Sequence, residues 1–116
     1  MQELKNDLIT SKYTKIVENE KFELAPCDFK VIENSSNEVL CSIHFQEGPV
    51  KENDINGIFN EDAIAMVIRR LECFQNTQFK CRENAIAITK LEEALMWLRK
   101  RTIGREKKGV IGTHKV

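Results

Sequence analysis

The spacing of apolar residues changes near the middle of the chain. In residues 39–45 every second position is apolar, and this alternation is typical of a β-strand with one covered face: Val39, Cys41, Ile43, Phe45. Residues 12–18 and 29–32 are also rich in β-forming residues. The polar stretch 33–38 fits a hairpin loop. The first half therefore predicts a small antiparallel sheet.

Two stretches of this half are less defined. Residues 4–9 fit either a short helix or a short strand, and the pattern does not separate the two. Residues 46–60 predict a loop, because they contain the turn dipeptides Gly48-Pro49 and Asn56-Gly57. A loop of this length is often functional, although it also serves as a junction between sheet and helices.

The second half has helical spacing. Asn60 is the predicted N-cap, and the following residues place an apolar side chain every third or fourth position: Ile64, Val67, Ile68, Leu71, Phe74. A polar break at 76–78 precedes a second helix from about 81 to about 102, with its own apolar seam: Ile88, Leu91, Leu95, Leu98. The short break predicts an antiparallel helical hairpin.

The fold class expected from these elements is α+β, with a small N-terminal antiparallel β-sheet followed by the two-helix hairpin. We expect a β-rich part over 1–58 and the hairpin with a basic C-terminal tail over 59–116, in one compact domain overall. Met96 and Trp97 spread the apolar surface of the second helix beyond one stripe. Since such a helix usually packs against more than one neighbour, we expect a homo-oligomer.

The charge is unevenly distributed. The net charge is zero, but residues 1–95 carry 11 basic and 17 acidic side chains, whereas 96–116 carry 7 and 1. Six basic residues fall within ten positions: Arg99, Lys100, Arg101, Arg105, Lys107, Lys108. Arginine matches phosphate with a planar fork of donors, so the cluster predicts an anion site. The alternative is a solvated helix end that complements the helix dipole.

Catalytic and metal-binding patterns are scarce. His44 and His114 are isolated, the four cysteines form no C-x-x-C pair, and no nucleophile elbow or phosphate-binding glycine loop is present. We therefore expect no metal, no cofactor and no enzymatic activity. The N-terminus lacks the apolar core of a signal peptide, and no apolar run is long enough to span a membrane, so we expect a cytoplasmic protein.

Three stretches carry a family resemblance. They are H-F-Q-E-G-P-V-K-E at 44–52, C-R-E-N-A-I-A-I-T-K-L-E-E-A-L-M-W-L at 81–98, and G-V-x-G-T-H at 109–114. Together they resemble the Thoeris anti-defence proteins of bacteriophages, and the second stretch also resembles the shorter anti-CBASS sponges. The family tail usually has an acidic residue where this chain has Ile111.

The resemblance implies sequestration of cyclic nucleotide immune signals in the infected bacterial host. The Thoeris signal is a glycocyclic ADP-ribose, while related sponges take cyclic di- and trinucleotides. The family forms dimers and hexamers with pockets between chains. Its ligand contacts fall here on Phe74, Asn84 and Arg101, and a further basic contact falls on Arg105, Lys107 or Lys108.

Two other functions remain open at this point. An enzyme that degrades such a nucleotide would need a general base, for which Glu92, Glu93 or His114 are candidates. Glu92 and Glu93 are adjacent and point about 100° apart on a helix, so they do not face each other. A small nucleic-acid-binding module would use the same basic end, but the neutral overall charge argues against DNA as the partner.

Overall fold

The structure is a computed structural model that describes residues 1–107, and it divides into two compact units. The sheet unit comprises Met1–Glu47 together with Ile55–Ile58. The hairpin unit comprises Gly48–Asp54 and the chain from Phe59 onward. The observed elements confirm the α+β class. The expected boundaries at 1–58 and 59–116, and the single domain, stay predictions.

The sheet unit contains four antiparallel strands in chain order. They are β1 Gln2–Glu3, β2 Thr14–Glu18, β3 Asp28–Glu33 and β4 Val39–His44. The predicted antiparallel sheet is thus confirmed, and the polar stretch 33–38 does connect two neighbouring strands. Residues 4–9 form neither the short helix nor the short strand that the pattern allowed. The additional strand of the sheet is β1, which ends just before them at Glu3.

The alternation predicted for residues 39–45 is interrupted. Cys41 pairs with Val31, whereas Val39 pairs with Ile32, so the register shifts and Leu40 has no opposite residue. Since cross-strand partners share a face and successive residues of β3 alternate, Val39 and Cys41 lie on opposite faces. The prediction of one common face was therefore wrong for Val39.

The segment 46–60 is more ordered than a plain loop. It contains the short helix α1, Val50–Asn53. In the sheet unit, the Asn56 side chain binds the backbone of Glu47 twice: Oδ1 accepts from the N–H and Nδ2 donates to the carbonyl, both at 2.8 Å. The Ile58 N–H donates to the His44 carbonyl at 2.9 Å. These bonds attach residues 56–58 to the end of β4 within the sheet unit.

The hairpin unit contains helices α2, Asn60–Gln75, and α3, Arg82–Lys107, which pack against each other. The N-cap of α2 is Phe59 rather than the predicted Asn60. The Asp62 carboxylate, in the first turn of α2, accepts a hydrogen bond from the Phe59 N–H at 2.8 Å. The backbone N–H of the N-cap residue is therefore satisfied by a side chain of the helix itself. Helix α3 continues past its predicted end near 102.

Burial within the hairpin is shallow. Ile68 on α2, 8% exposed, is the only buried residue among 1–106. The predicted α3 seam of Ile88, Leu91, Leu95 and Leu98 is partly buried. On α2, Val67 belongs to the apolar series at helical spacing but is 49% exposed. Large apolar side chains on the outer surfaces of both helices are more than 40% exposed: Met66, Val67, Ile86, Met96, Trp97.

Two glycines differ sharply in the space around them. A Cβ on Gly57 would lie 2.5 Å from the His44 carbonyl oxygen, whereas one on Gly104 in α3 would meet nothing within 4 Å. We expect Gly57→Ala to destabilise the protein by about 1–3 kcal/mol, because backbone must move. Gly104→Ala should stabilise it by up to about 1 kcal/mol through helix propensity. Denaturant titration of both variants tests this, and equal effects would contradict it.

Candidate functional site

The loop end of the hairpin is fixed by hydrogen bonds. The Gln75 side chain donates to the Cys81 carbonyl and accepts the Cys81 N–H, both at 3.0 Å. The Thr77 hydroxyl donates to the Phe74 carbonyl at 2.6 Å and accepts the Phe79 N–H at 3.1 Å. The end of α2 and the start of α3 are therefore tied together, which gives Phe74 a defined place.

Phe74 and Asn84 both lie at this end. Each is half-buried, Phe74 in the last turn of α2 and Asn84 in the first turn of α3. Among residues 1–107, no group hydrogen-bonds the Asn84 amide, so its donors and acceptor are available to a ligand. The Arg70 guanidinium carbon lies 5.0 Å from the centroid of the Phe74 ring, a contact that sequence reasoning missed.

The basic cluster lies at the opposite end of α3. Arg101 is exposed and Arg105 is half-buried. Because the helix continues through this region, the two residues are one turn apart on the same side. Lys107 is the last residue of α3, and Lys108, Ile111 and His114 lie outside the described residues.

The other two members of the cluster occupy a different side of the helix. A shallow depression of about 370 Å³ on α3 is lined by Leu95, Met96, Arg99, Lys100 and Ile103. The Lys100 ammonium lies 4.9 Å from the centroid of the exposed Trp97 ring. Successive helix residues point about 100° apart, so Arg101 does not share this depression. The structure therefore divides the basic cluster into two surfaces.

The two ends of the hairpin are far apart. Asn84 and Arg101 are 17 positions apart on one helix, which is about 25 Å at 1.5 Å per residue. A small-molecule pocket of roughly 300–1,000 Å³ is only about 7–10 Å across. One hairpin thus cannot place its Asn84 and its Arg101 in the same pocket, and the structure does not bring all predicted site residues together.

A polar cluster in the sheet unit was also missed from sequence. His44 was expected to be isolated, but its Nδ1 lies 2.6 Å from Asp28 Oδ1, its cross-strand partner. The hydrogen bond to Asp28 is the main cause that raises the pKa of His44. Desolvation, the second cause, lowers this pKa, while the charges of Asp28 and Glu47 and a hydrogen bond to Asn56 raise it further. The expectation that His44 has no partner was wrong, because strand register, not sequence distance, brings the pair together.

The raised pKa of His44 predicts a pH-dependent stability. Its protonated form is favoured in the folded state, so this stabilisation is fully present below its ordinary value near 6.5 and is lost as pH rises through the folded pKa. An NMR titration should give a His44 pKa above 6.5 in the wild type and a lower one in Asp28→Asn. The variant should lose more thermal stability at about pH 5.5 than at about pH 8.5. Identical His44 titrations would contradict this.

A family model described as "Acb2/Tad1, hairpin domain" matches residues 37–102, more than half of the chain. The chain belongs to this family. The match covers β4, α2 and most of α3. Phe74, Asn84 and Arg101 lie inside the matched segment of the Acb2/Tad1 hairpin, whereas Arg105, Lys107 and Lys108 lie beyond it.

One relative extends the likeness over nearly the whole chain. The protein "Thoeris anti-defense 1" of Bacillus phage SBSphiJ7 is 45% identical, and the alignment covers 98% of this chain and 99% of the relative. The alignment runs over 140 positions, so the relative contains residues that this chain lacks. The resemblance to phage Thoeris anti-defence proteins, noted from the motifs, is confirmed.

Other kinds of site are not found in the described residues. Within 1–107, no three His, Cys, Asp or Glu side chains are placed to hold a metal ion together. No helix in the same range is long and apolar enough to cross a membrane. Burial, followed by the charges of Glu47 and Asp28, raises the pKa of the Cys27 thiol, which makes it a poor nucleophile.

Proposed function

We propose that this protein is a phage counter-defence protein that binds and sequesters a glycocyclic ADP-ribose signal of bacterial Thoeris systems without degrading it. The observation that supports this most is the 45% identity to a Thoeris anti-defence protein over nearly the full length of both chains. Such a protein acts in the cytoplasm of the infected host. Its family favours a binding protein over an enzyme.

The proposed ligand contacts follow from the chemistry of the two hairpin ends. A cyclic ADP-ribose isomer offers an adenine, ribose hydroxyls and a pyrophosphate. Phe74 would stack on the adenine and Asn84 would bind a hydroxyl or a base edge. Arg101 would bind the pyrophosphate together with a further basic residue, for which Arg105, Lys107 and Lys108 are the candidates.

A partner chain would complete the pocket. Since about 25 Å separates Asn84 from Arg101 on α3, an antiparallel second copy is needed to bring its Arg101 beside the first copy's Phe74 and Asn84. The exposed outer surfaces of α2 and α3 offer apolar area for such packing. We propose a homodimer as the binding unit and a hexamer, a trimer of dimers, as the full assembly.

The energetics favour such a closed site. Nanomolar affinity requires about −12 kcal/mol. A hydrogen bond to a charged group contributes roughly 1.5–3 kcal/mol, whereas association costs an estimated 4–15 kcal/mol. Two or three open contacts on one hairpin would therefore bind weakly. A pocket between two chains excludes water and strengthens each contact, which supports the dimeric site.

A titration series tests the proposal. The purified protein is titrated by calorimetry with cyclic ADP-ribose isomers, linear ADP-ribose, cyclic di- and trinucleotides, and a short DNA duplex at low salt. We expect the tightest binding for one cyclic ADP-ribose isomer, and some cyclic di- or trinucleotides are further candidate ligands. Binding of the duplex alone would contradict the proposal and favour a nucleic-acid-binding module.

One observation favours an enzyme as the second candidate. The His44–Asp28 pair places a carboxylate on Nδ1, the arrangement that orients a histidine general base. In this reading the protein would cleave the cyclic nucleotide. Multiple turnovers with excess ligand, lost in His44→Ala, would support the enzyme. If no product forms even when the protein concentration equals the ligand concentration, the enzyme is ruled out.

A further inference from the structure

The contact between Arg70 and Phe74 joins a cation and an aromatic ring at the loop end of the hairpin. The two residues are one turn apart on α2, and the guanidinium carbon lies 5.0 Å from the ring centroid, within the roughly 6 Å range of a cation–π interaction. Phe74 is half-buried, whereas Arg70 is exposed. The Phe74 ring therefore positions the positive charge of Arg70 beside it at the protein surface.

This charge has no acidic partner in the described part of the chain. Among residues 1–107, no carboxylate lies within ion-pair distance of Arg70. The side chains three and four positions before it, Val67 and Met66, are apolar, and Cys73 lies three positions after it. Glu72 is two positions away and thus points to the other side of the helix. The charge of Arg70 is available to an anion.

We propose that Arg70 is a phosphate-binding residue and that it forms one recognition surface with Phe74. The ring takes the purine of a nucleotide, and the guanidinium beside it takes a phosphate of the same ligand. This inference rests on the proposed function, because it assigns a further contact to that same site.

The geometry explains why such a surface is effective. A guanidinium has five N–H donors, and because no carboxylate among residues 1–107 pairs with Arg70, these donors can bind phosphate oxygens. The ring also restricts the long arginine side chain before the ligand arrives, which lowers the entropic cost of binding. Arg70 thus supplies positive charge directly beside the aromatic ring of Phe74.

Arg69 provides a matched control. It is the adjacent residue, is also exposed and also basic, but points about 100° away and contacts no aromatic ring within residues 1–107. The affinity of Arg70→Ala, Arg70→Lys and Arg69→Ala for the cyclic ADP-ribose isomer is measured by calorimetry at low and high salt. Elution volume and circular dichroism show whether each variant keeps the wild-type assembly and fold.

We expect Arg70→Ala to weaken binding about tenfold, which corresponds to about 1.4 kcal/mol. Its affinity should also depend less on salt than that of the wild type. Arg70→Lys should give an intermediate loss, because it keeps the charge but not the planar fork. Arg69→Ala should stay within about twofold of the wild type.

The mutational outcomes separate the contact from general charge. A double-mutant cycle of Arg70→Ala with Phe74→Leu should show coupled losses, since the ring positions the guanidinium. Equal affinities of the wild type and Arg70→Ala would overturn the assignment of Arg70 alone. Equal losses in Arg69→Ala and Arg70→Ala would also overturn it. No binding by the wild type would overturn the proposed function and this inference with it.

Discussion

Replacing Arg101 with alanine is expected to weaken binding of the cyclic ADP-ribose isomer about a hundredfold while the oligomer stays intact. Removing one partner of a buried charge pair typically costs about 2–5 kcal/mol, a range that includes the roughly 2.7 kcal/mol of two decades in affinity. Arg101 is exposed on α3 in the single chain. It can therefore be truncated without loss of packing inside the hairpin.

The control for Arg101 is Arg99→Ala. Arg99 lies in the same helical turn but lines the depression on another side of α3. Its loss should change the affinity for the ligand by less than about threefold, as expected for a solvated charge. Isothermal titration and size exclusion of both variants test the placement. An unchanged dissociation constant in Arg101→Ala would refute it.

Trp97→Ala is expected to shift the assembly towards smaller species. Trp97 is 64% exposed in the single chain, which is unusual for so large an apolar residue. Truncation of an interface tryptophan costs about 2–4 kcal/mol, or roughly 30- to 1,000-fold in the dissociation constant of the dimer. Because the proposed pocket lies between two chains, ligand affinity should fall together with assembly.

Phe79→Ala is the control for Trp97→Ala. Phe79 is an aromatic residue of nearly equal exposure, 65%, but it lies in the loop between the helices rather than on a helix surface. Its truncation should leave the assembly unchanged. Sedimentation velocity of both variants over a dilution series measures the effect. A wild-type dissociation constant of the oligomer in Trp97→Ala would show that the indole does not pack between chains.

The helical hairpin could be predicted from sequence because helical spacing is a pattern among residues that are close together in the chain. The apolar residues of α3 recur at three and four positions, and this spacing fixes the side of the helix that faces α2. The start of α2 was less predictable, since its cap depends on an Asp62–Phe59 hydrogen bond inside the first turn. On α2, Val67 matches the helical spacing of apolar residues but is 49% exposed, because spacing alone does not determine how deeply a side chain is buried.

The non-local features could not be derived in the same way. The His44–Asp28 pair joins residues 16 positions apart and depends on strand register. The register shift at Leu40, which decides the faces of β4, has no signal in a simple alternation pattern. Such pairings are set by tertiary contacts rather than by period.

The candidate site required more than periodicity. Charge pattern alone identified six basic residues near the end of α3 and offered no reason to choose Arg101 among them. The family motifs supplied that choice, and the structure adds that Arg101 lies on a different side of α3 from the Arg99 depression. Arg70 could not be selected from sequence, because its role depends on the observed contact with the Phe74 ring.

Recovery of the ligand after binding tests sequestration most directly. The protein is incubated for hours with the cyclic ADP-ribose isomer in moderate excess, the complex is separated from free ligand, and the protein is then denatured by heat. Mass spectrometry of the supernatant should recover the intact cyclic ligand in an amount equal to the amount bound. Linear ADP-ribose or another cleaved product, released from the denatured complex or found in the free fraction in excess over the protein, would contradict sequestration and establish an enzyme.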